Sequence, residues 1–244
     1  MSSSRSEILG KIRRALVKPR PAHHHGHSPA TSDLNQLFAS VASRDRLVEK
    51  FQKEFELVSG EFSICESGAV VVQLLSELIR SSASKKVAIS QHPICKRLAV
   101  AEALQAQLPD MNLLVEDIES ENSFDRTRLR NSMAQVQLSI TGAEYLIAES
   151  GTIVAVAGAQ ASRQISLLPS IHVVLATREQ ISPNMADLFL EIQRTHGTKL
   201  PGSALTCITG PSRTADIEKV LIKGVHGPMR LVLIMVGSLT SGTG

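Results

Sequence analysis

Four short stretches carry side chains able to do chemistry. The first joins two apolar runs through Glu149-Ser150-Gly151-Thr152. A carboxylate at such a junction is expected to be partly desolvated, which raises a carboxyl pKa and suits acid–base or nucleophilic work. Gly151 would let a ligand or a neighbouring backbone approach closely. The competing reading is a turn carboxylate bonded to backbone N–H groups. The second stretch places Arg163 and Ser166 just after the small-residue run Ala157–Ser162. An arginine on a mobile loop is a common clamp for a carboxylate or phosphate. His172 follows in an otherwise apolar strand, where a hydrogen-bonded core histidine competes with a ligand contact.

The third stretch is Gly210-Pro211-Ser212-Arg213-Thr214, followed by Asp216 and Glu218. It reads as strand, tight turn and then a helix over about Thr214–Ile222, capped by Ser212 or Thr214. The start of that helix, with Arg213 beside it, would make an anion site. Asp216 and Glu218 would complement the helix dipole and oppose a phosphate. The glycine-rich phosphate loop ending in Gly-Lys-Ser/Thr is absent, and a capped structural helix is the plainer alternative. The fourth stretch, Gly224-Val225-His226-Gly227-Pro228, puts an imidazole on a tight loop before the last strand. His226 there is a candidate proton carrier or ligand contact, or a turn histidine bonded to backbone.

These residues must be positioned by the elements around them. Short apolar segments at Val87–Ser90, Asn112–Glu116, Val136–Ile140, Tyr145–Ala148, Thr152–Ala157, Ile171–Ala176, Leu205–Ile208 and Leu231–Val236 read as strands. Helical spacing predicts helices over about Ser32–Phe55, Ala69–Ser81, Pro93–Leu108 and Met185–Arg194. Residues 117–135 read as a polar connection with a short helix. Strands alternating with helices predict an α/β protein with helices covering a mostly parallel sheet. The close pair around Glu149-Ser150-Gly151 predicts a hairpin, so the sheet is expected to be mixed.

Composition bounds the rest. The chain has 244 residues, 43% of them hydrophobic and 20% charged, as in ordinary globular proteins. No apolar run approaches the roughly 18 residues of a membrane span. Net charge is only +3, and aromatics are 3% with no Trp and one Tyr, which argues against nucleic acid as a partner. Cys65, Cys95 and Cys207 are far apart and offer no cluster-binding spacing, which fits a reducing cytoplasm. Residues 1–18 read as an amphipathic helical arm, with Ser4 and Glu7 at capping-box spacing. It could dock on its own domain or a partner subunit, or lie on a membrane surface. Residues 19–32 read as a linker rich in Pro and His. The cluster His23–His27 lacks the support a selective metal site needs, so no metal or cofactor is expected. Residues 33–236 are expected to form one α/β domain, and 237–244 a disordered tail.

The segment from about Gln137 to Val236 resembles the lactate utilization protein C family of LUD-domain proteins. The resemblance rests on Ile140–Thr152, Arg163 with Ser166-Leu167-Leu168-Pro169, Ile171-His172, Ile208–Glu218 and Gly224–Pro228. The opening Arg5–Leu16 is also similar to that family's start. Ser150 stands where threonine is usual, and keeps the hydroxyl. The resemblance implies a Rossmann-like three-layer sandwich like that of the sugar-phosphate isomerase and CoA-transferase group. It further implies a cytoplasmic role in bacterial oxidation of L-lactate to pyruvate, alongside iron–sulfur partner proteins. In related CoA transferases a glutamate beside a glycine is the nucleophile, and Glu149 is similar to it.

The combined reading takes Glu149 and His226 as candidate catalytic groups. It takes Ser150, Gly151, Thr152, Arg163, Ser166, His172, Gly210, Pro211, Ser212, Arg213, Thr214, Asp216 and Gly227 as contacts to a small anionic ligand. Three distant glycine turns are expected to meet around that ligand. Two other functions stay open, a stand-alone isomerase or transferase using Glu149, and a non-catalytic structural or regulatory module. Homo-oligomer formation stays open as well.

Overall fold

The computed structural model describes residues 43–116, 131–158, 162–197, 199–215, 221–223 and 227–237. The expected N-terminal arm and linker, the tail from 238 on, and the candidate residues Asp216 and His226 lie outside the described residues.

The longest apolar segments pair with one another to form a six-stranded parallel sheet. Its strands are β1 (Glu61–Cys65), β2 (Lys86–Ile89), β3 (Asn112–Val115), β4 (Leu138–Gly142), β7 (Ile171–Thr177) and β12 (Arg230–Val236), in the order β1-β12-β7-β4-β2-β3. Both faces of this sheet are covered, which is why its central strands read as unbroken apolar runs rather than alternating ones. Along β12, Val232, Ile234 and Val236 face one core, and Leu231, Leu233 and Met235 the other.

The first core is closed by helices α2 (Gly68–Ser81), α3 (Pro93–Arg97) and α4 (Val100–Gln107). Ser67 caps α2 by accepting the Val70 N–H. The expected single helix over Pro93–Leu108 is in fact α3 and α4, separated at Ala99, whose φ of 47° is left-handed. The break lets Ile94 and Cys95 in one helix and Val100 and Leu104 in the other all reach the core.

The opposite core is closed by α1 (Arg44–Leu57) and a four-stranded sheet. Phe51 and Phe55 of α1 are fully buried, with ring centroids 5.4 Å apart. The small sheet has the order β8-β5-β6-β9, from β5 (Tyr145–Ile147), β6 (Thr152–Ala157), β8 (Ile181–Ser182) and β9 (Ala204–Ile208). β5 and β6 form the expected antiparallel hairpin around Glu149–Gly151. Helix α6 (Met185–His196) seals the outer side of this sheet through Leu188 and Ile192. The result is an α/β sandwich with mixed strand directions, as the sequence predicted.

Two local expectations are corrected. Glu61–Cys65 is a strand that apolar patterning does not reveal, because β1 is an edge strand left mostly half-exposed. Residues 213–215 do not begin a helix. They form β10 (Arg213–Ala215), antiparallel to β11 (Leu221–Lys223), with Thr214 opposite Ile222. β-branched residues at facing positions favour the ladder, so the helix dipole expected there is not present at Arg213.

Candidate functional site

The order of the large sheet creates its own crevice. From β2 the chain moves outward to β3 at the edge. From β4 it moves the other way, to β7 and then β12. β2 and β4 are neighbours, so the direction of winding reverses between them. In open α/β sheets, the gap outside the carboxyl ends of the strands at such a reversal is where ligands bind. All three strands at this side end in polar residues: β2 leads to Ser90 and His92, β4 to Gly142 and Glu144, and β3 to Glu116.

The crevice is lined by His92, Thr141, Gly142, Glu144, Ala155, Val156, Ala157, Ser162, Arg163, Ile165, Ser166 and Thr206. Its enclosed interior is about 20 Å³, room for one water-sized group, and it measures about 360 Å³ counting the open mouth. Arg163 and Ser166 belong to α5 (Arg163–Leu167), whose N-cap Ser162 accepts the Gln164 N–H. Ser166 is buried and its hydroxyl donates to the Arg163 carbonyl.

His92 is fixed in place by three constraints. It caps α3, with Nδ1 accepting the Ile94 N–H at 3.3 Å. A neutral ring therefore carries its proton on Nε2. Its ring lies against Gly142 so closely that an added Cβ there would sit 1.9 Å from Nδ1. Nε2 is 3.3 Å from Glu144 Oε1, too poorly aligned for a good hydrogen bond but close enough for strong attraction. That N–H holds the Glu144 carboxyl below the ordinary carboxylate range, outweighing the opposing effect of partial burial. Glu144 is thus an ionised group whose side chain remains 37% exposed at the crevice.

Beneath the crevice, Thr141 Oγ1 lies 2.9 Å from His172 Nε2. His172 is fully buried, and burial pushes its imidazole down to about 4, so it is neutral at pH 7. Among the described residues its Nδ1 has no hydrogen-bond partner. A buried unpaired N–H costs more than an unpaired acceptor, so the favoured tautomer carries the proton on Nε2. Thr141 then accepts from His172, and its own O–H is left to donate into the crevice. Glu116, also fully buried, accepts the Ser162 N–H at 3.1 Å through Oε2. Burial pushes its carboxyl up, against the pull of Ser162. Cys95 is buried nearby in the helical core, its thiol pushed up to about 11 by desolvation, which makes it a poor nucleophile.

The glycine turns meet elsewhere. Gly151 has a φ of 58°, and a Cβ on it would come within 2.3 Å of the Phe55 backbone nitrogen in α1. A Cβ on Gly210 would come within 2.5 Å of the Val58 carbonyl. Arg213 donates to that carbonyl at 3.1 Å and to the Ser59 hydroxyl. Thr152 Oγ1 lies 2.7 Å from both Ser150 Oγ and Thr209 Oγ1. Ser212 N donates to the Pro228 carbonyl at 2.8 Å, which brings Gly227 and Pro228 against the same turn. Pro211 is buried there.

Three distant turns do converge, therefore, but around the carboxyl end of α1. Glu149 is exposed there, not desolvated as expected. Thr152 begins β6 and the crevice is lined from Ala155 on, so the two lie about 10 Å apart along that strand. Of the candidate residues, the structure brings Arg163 and Ser166 to the crevice and His172 beneath it. Ser150, Gly151, Thr152, Gly210, Ser212, Arg213 and Gly227 are gathered at the other cluster. Sequence reasoning missed His92, Thr141, Glu144 and Glu116. The signal available was their place at or just after the ends of strands, and for His92 also the neighbouring Pro93 that opens α3.

A parallel sheet with a polar crevice at its winding reversal makes an α/β domain with a candidate ligand site. The chain belongs to the LUD domain family, whose profile matches residues 48–236. It is 37% identical to lactate utilization protein C of Halalkalibacterium halodurans over half of this chain, a match spanning 53% of that protein. It is 28% identical to lactate utilization protein C of Geobacillus sp. over 93% of this chain and 90% of that protein. It is also 27% identical to the uncharacterised protein YkgG of Escherichia coli over 96% of this chain and 98% of that protein. A crystal structure of a DUF162 family protein from Deinococcus radiodurans shares the fold. Its TM-score is 0.54 at 22% identity, over 80% of this chain and 99% of that one. No described helix is long and apolar enough to cross a membrane.

Proposed function

We propose that this chain is a component of a bacterial L-lactate utilization system, acting with iron–sulfur partner proteins in the oxidation of lactate to pyruvate. In this reading it binds a small carboxylate in the crevice between β2 and β4. The observation that carries the binding site is the gathering of His92, Thr141, Glu144, Arg163 and Ser166 at the winding reversal of the sheet. Arg163 supplies the positive charge for the anion, and the Thr141 O–H a neutral donor. The enclosed space admits only one small group, so a short acid would seat one end inside and leave the rest in the mouth. The names of the relatives support the metabolic assignment. Iron–sulfur partners would carry the electrons.

The test is growth on L-lactate as sole carbon source in a host lacking its own copy of this chain. The wild-type chain is expected to restore growth and to co-purify with iron–sulfur proteins. Arg163→Leu, expressed at equal level, is expected to slow growth. Full growth without the chain would contradict the assignment.

A further inference from the structure

Among the described residues the two larger sheets have four edge strands, β1, β3, β8 and β9. An exposed edge invites pairing with another chain, and proteins blunt it with charges, prolines or brevity. Three of the four edges are blunted. β1 carries Glu61 in an ion pair with Arg230, β3 lies between Asp110 and Glu116, and β8 is two residues long. β9 has none of these devices. From Gly202 to Gly210 the chain holds no charged residue and no proline. One edge of β9 pairs with β6, and no described strand pairs with the other.

An apolar patch lies beside that open edge. Leu205 and Cys207 stand opposite Val156 and Val154 of β6, on the side of the sheet that α6 covers. Cys207 is exposed there. Leu188 and Ile192 of α6 face the sheet, and Glu191 accepts the hydroxyl hydrogen bond of Ser182 in β8. At about 100° per residue, Met185 and Phe189 then lie on the other flank of α6, toward β9. Both are exposed, Phe189 at 52%.

We propose that β9 pairs antiparallel with β9 of a second copy of this chain, about a two-fold axis at Thr206. This register sets Thr206 opposite the partner's Thr206, and Leu205 opposite the partner's Cys207. The four-stranded sheets of the two copies then form one continuous sheet. Met185 and Phe189 of both copies flank the same seam, so the two-fold covers each patch with its own equivalent. An uncharged edge and a net charge of only +3 let identical copies approach with little repulsion. This self-match favours a second copy over a foreign strand. Thr206 also lines the crevice, on the face of β9 away from Cys207. The pairing therefore brings the partner's Thr206 to the rim of this chain's crevice and sets the two crevices side by side. The inference does not depend on which ligand the crevice holds.

The test is analytical ultracentrifugation of the full chain, joined to cross-linking at Cys207. Wild type is expected to sediment at twice its chain mass of 26.3 kDa. Cys65 and Cys95 are buried, so Cys207 is the thiol that a maleimide reaches in the folded chain. In the proposed register the two Cys207 residues are diagonal neighbours about 8 Å apart. A short bis-maleimide is expected to link them, whereas oxidation to a direct disulfide is not, because that bond needs a closer approach. Cys207→Lys and Phe189→Glu change exposed positions, and each is expected to weaken dimerisation by about tenfold or more with an unchanged far-ultraviolet circular dichroism spectrum. A wild type that stays monomeric at high micromolar concentration would overturn the inference. A dimer that the bis-maleimide does not link, or that neither substitution weakens, would place the interface on another face and overturn it as well.

Discussion

The cluster at the end of α1 and the crevice at the ends of β2 and β4 are built from similar residues. Each has at least one glycine, hydroxyl side chains, a carboxylate and an arginine. They differ in where the polar atoms go. In the cluster Arg213 is spent on the Val58 carbonyl and Ser59, and the hydroxyls of Ser150, Thr152 and Thr209 bond one another. Gly151 and Gly210 press directly on the backbone of α1 and the residue after it. In the crevice, the one glycine makes room for a histidine ring, and Glu144 and Arg163 line open space. Glycine-punctuated turns are thus no sign of a ligand by themselves. What marks a site is polar groups placed where the fold leaves a gap.

Substitutions that separate stability from binding can break this contrast. The largest effect is expected for Gly151→Ala, which meets a positive φ and the Phe55 backbone together. It should cost about 4 kcal/mol or prevent folding, read by urea denaturation. If it folds as stably as wild type, the cluster is not the packing joint described here.

Acidification should come next. His172 has a folded pKa of about 4, below its unfolded value, so the unfolded chain binds more protons between those two values. Stability from keeping the ring neutral is therefore fully present above about pH 6.5 and is lost as pH falls toward 4, by about 3 kcal/mol in all. Urea midpoints measured across that range should fall in wild type and flatten in His172→Gln. An equal slope in both would place the titration elsewhere.

Gly142→Ala pushes the His92 ring off its seat. It should cost about 2 kcal/mol of stability, read in urea melts. Stability equal to wild type would show that the His92 ring is not seated against Gly142. The smallest effect is expected at Ser150→Ala, which removes one link of a partly exposed hydroxyl chain. It should cost about 1 kcal/mol in thermal or urea melts and leave ligand affinity unaltered.

Much of the fold was legible in the sequence because the central strands are covered on both faces. Thr152–Ala157 was read to the residue, and β4, β7 and β12 to within a residue or two at each end. β1 escaped because an edge strand with half-exposed residues has no unbroken apolar run. The strand at Arg213 escaped because Gly-Pro-Ser before polar residues carries the same letters as a helix cap. The site was only partly legible. Arg163 and Ser166 come from one short segment that the family resemblance singles out. His92 and Glu144 lie far apart along the chain and meet only because β2 sits beside β4, a neighbour relation that periodicity and spacing do not encode. The sequence did suggest that three glycine turns meet. It could not say that they meet on the end of a helix, because that depends on the depth at which Phe55 and Val58 are packed.

Arg163→Leu and Glu149→Gln, titrated side by side with L-lactate in a calorimeter, test the division between the two regions most directly. Loss of the crevice cation should weaken binding by about tenfold or more, while the exposed turn carboxylate should change it by less than about twofold. The reverse pattern, with Glu149→Gln abolishing binding and Arg163→Leu binding as wild type, would put the ligand at the turn cluster and contradict the account.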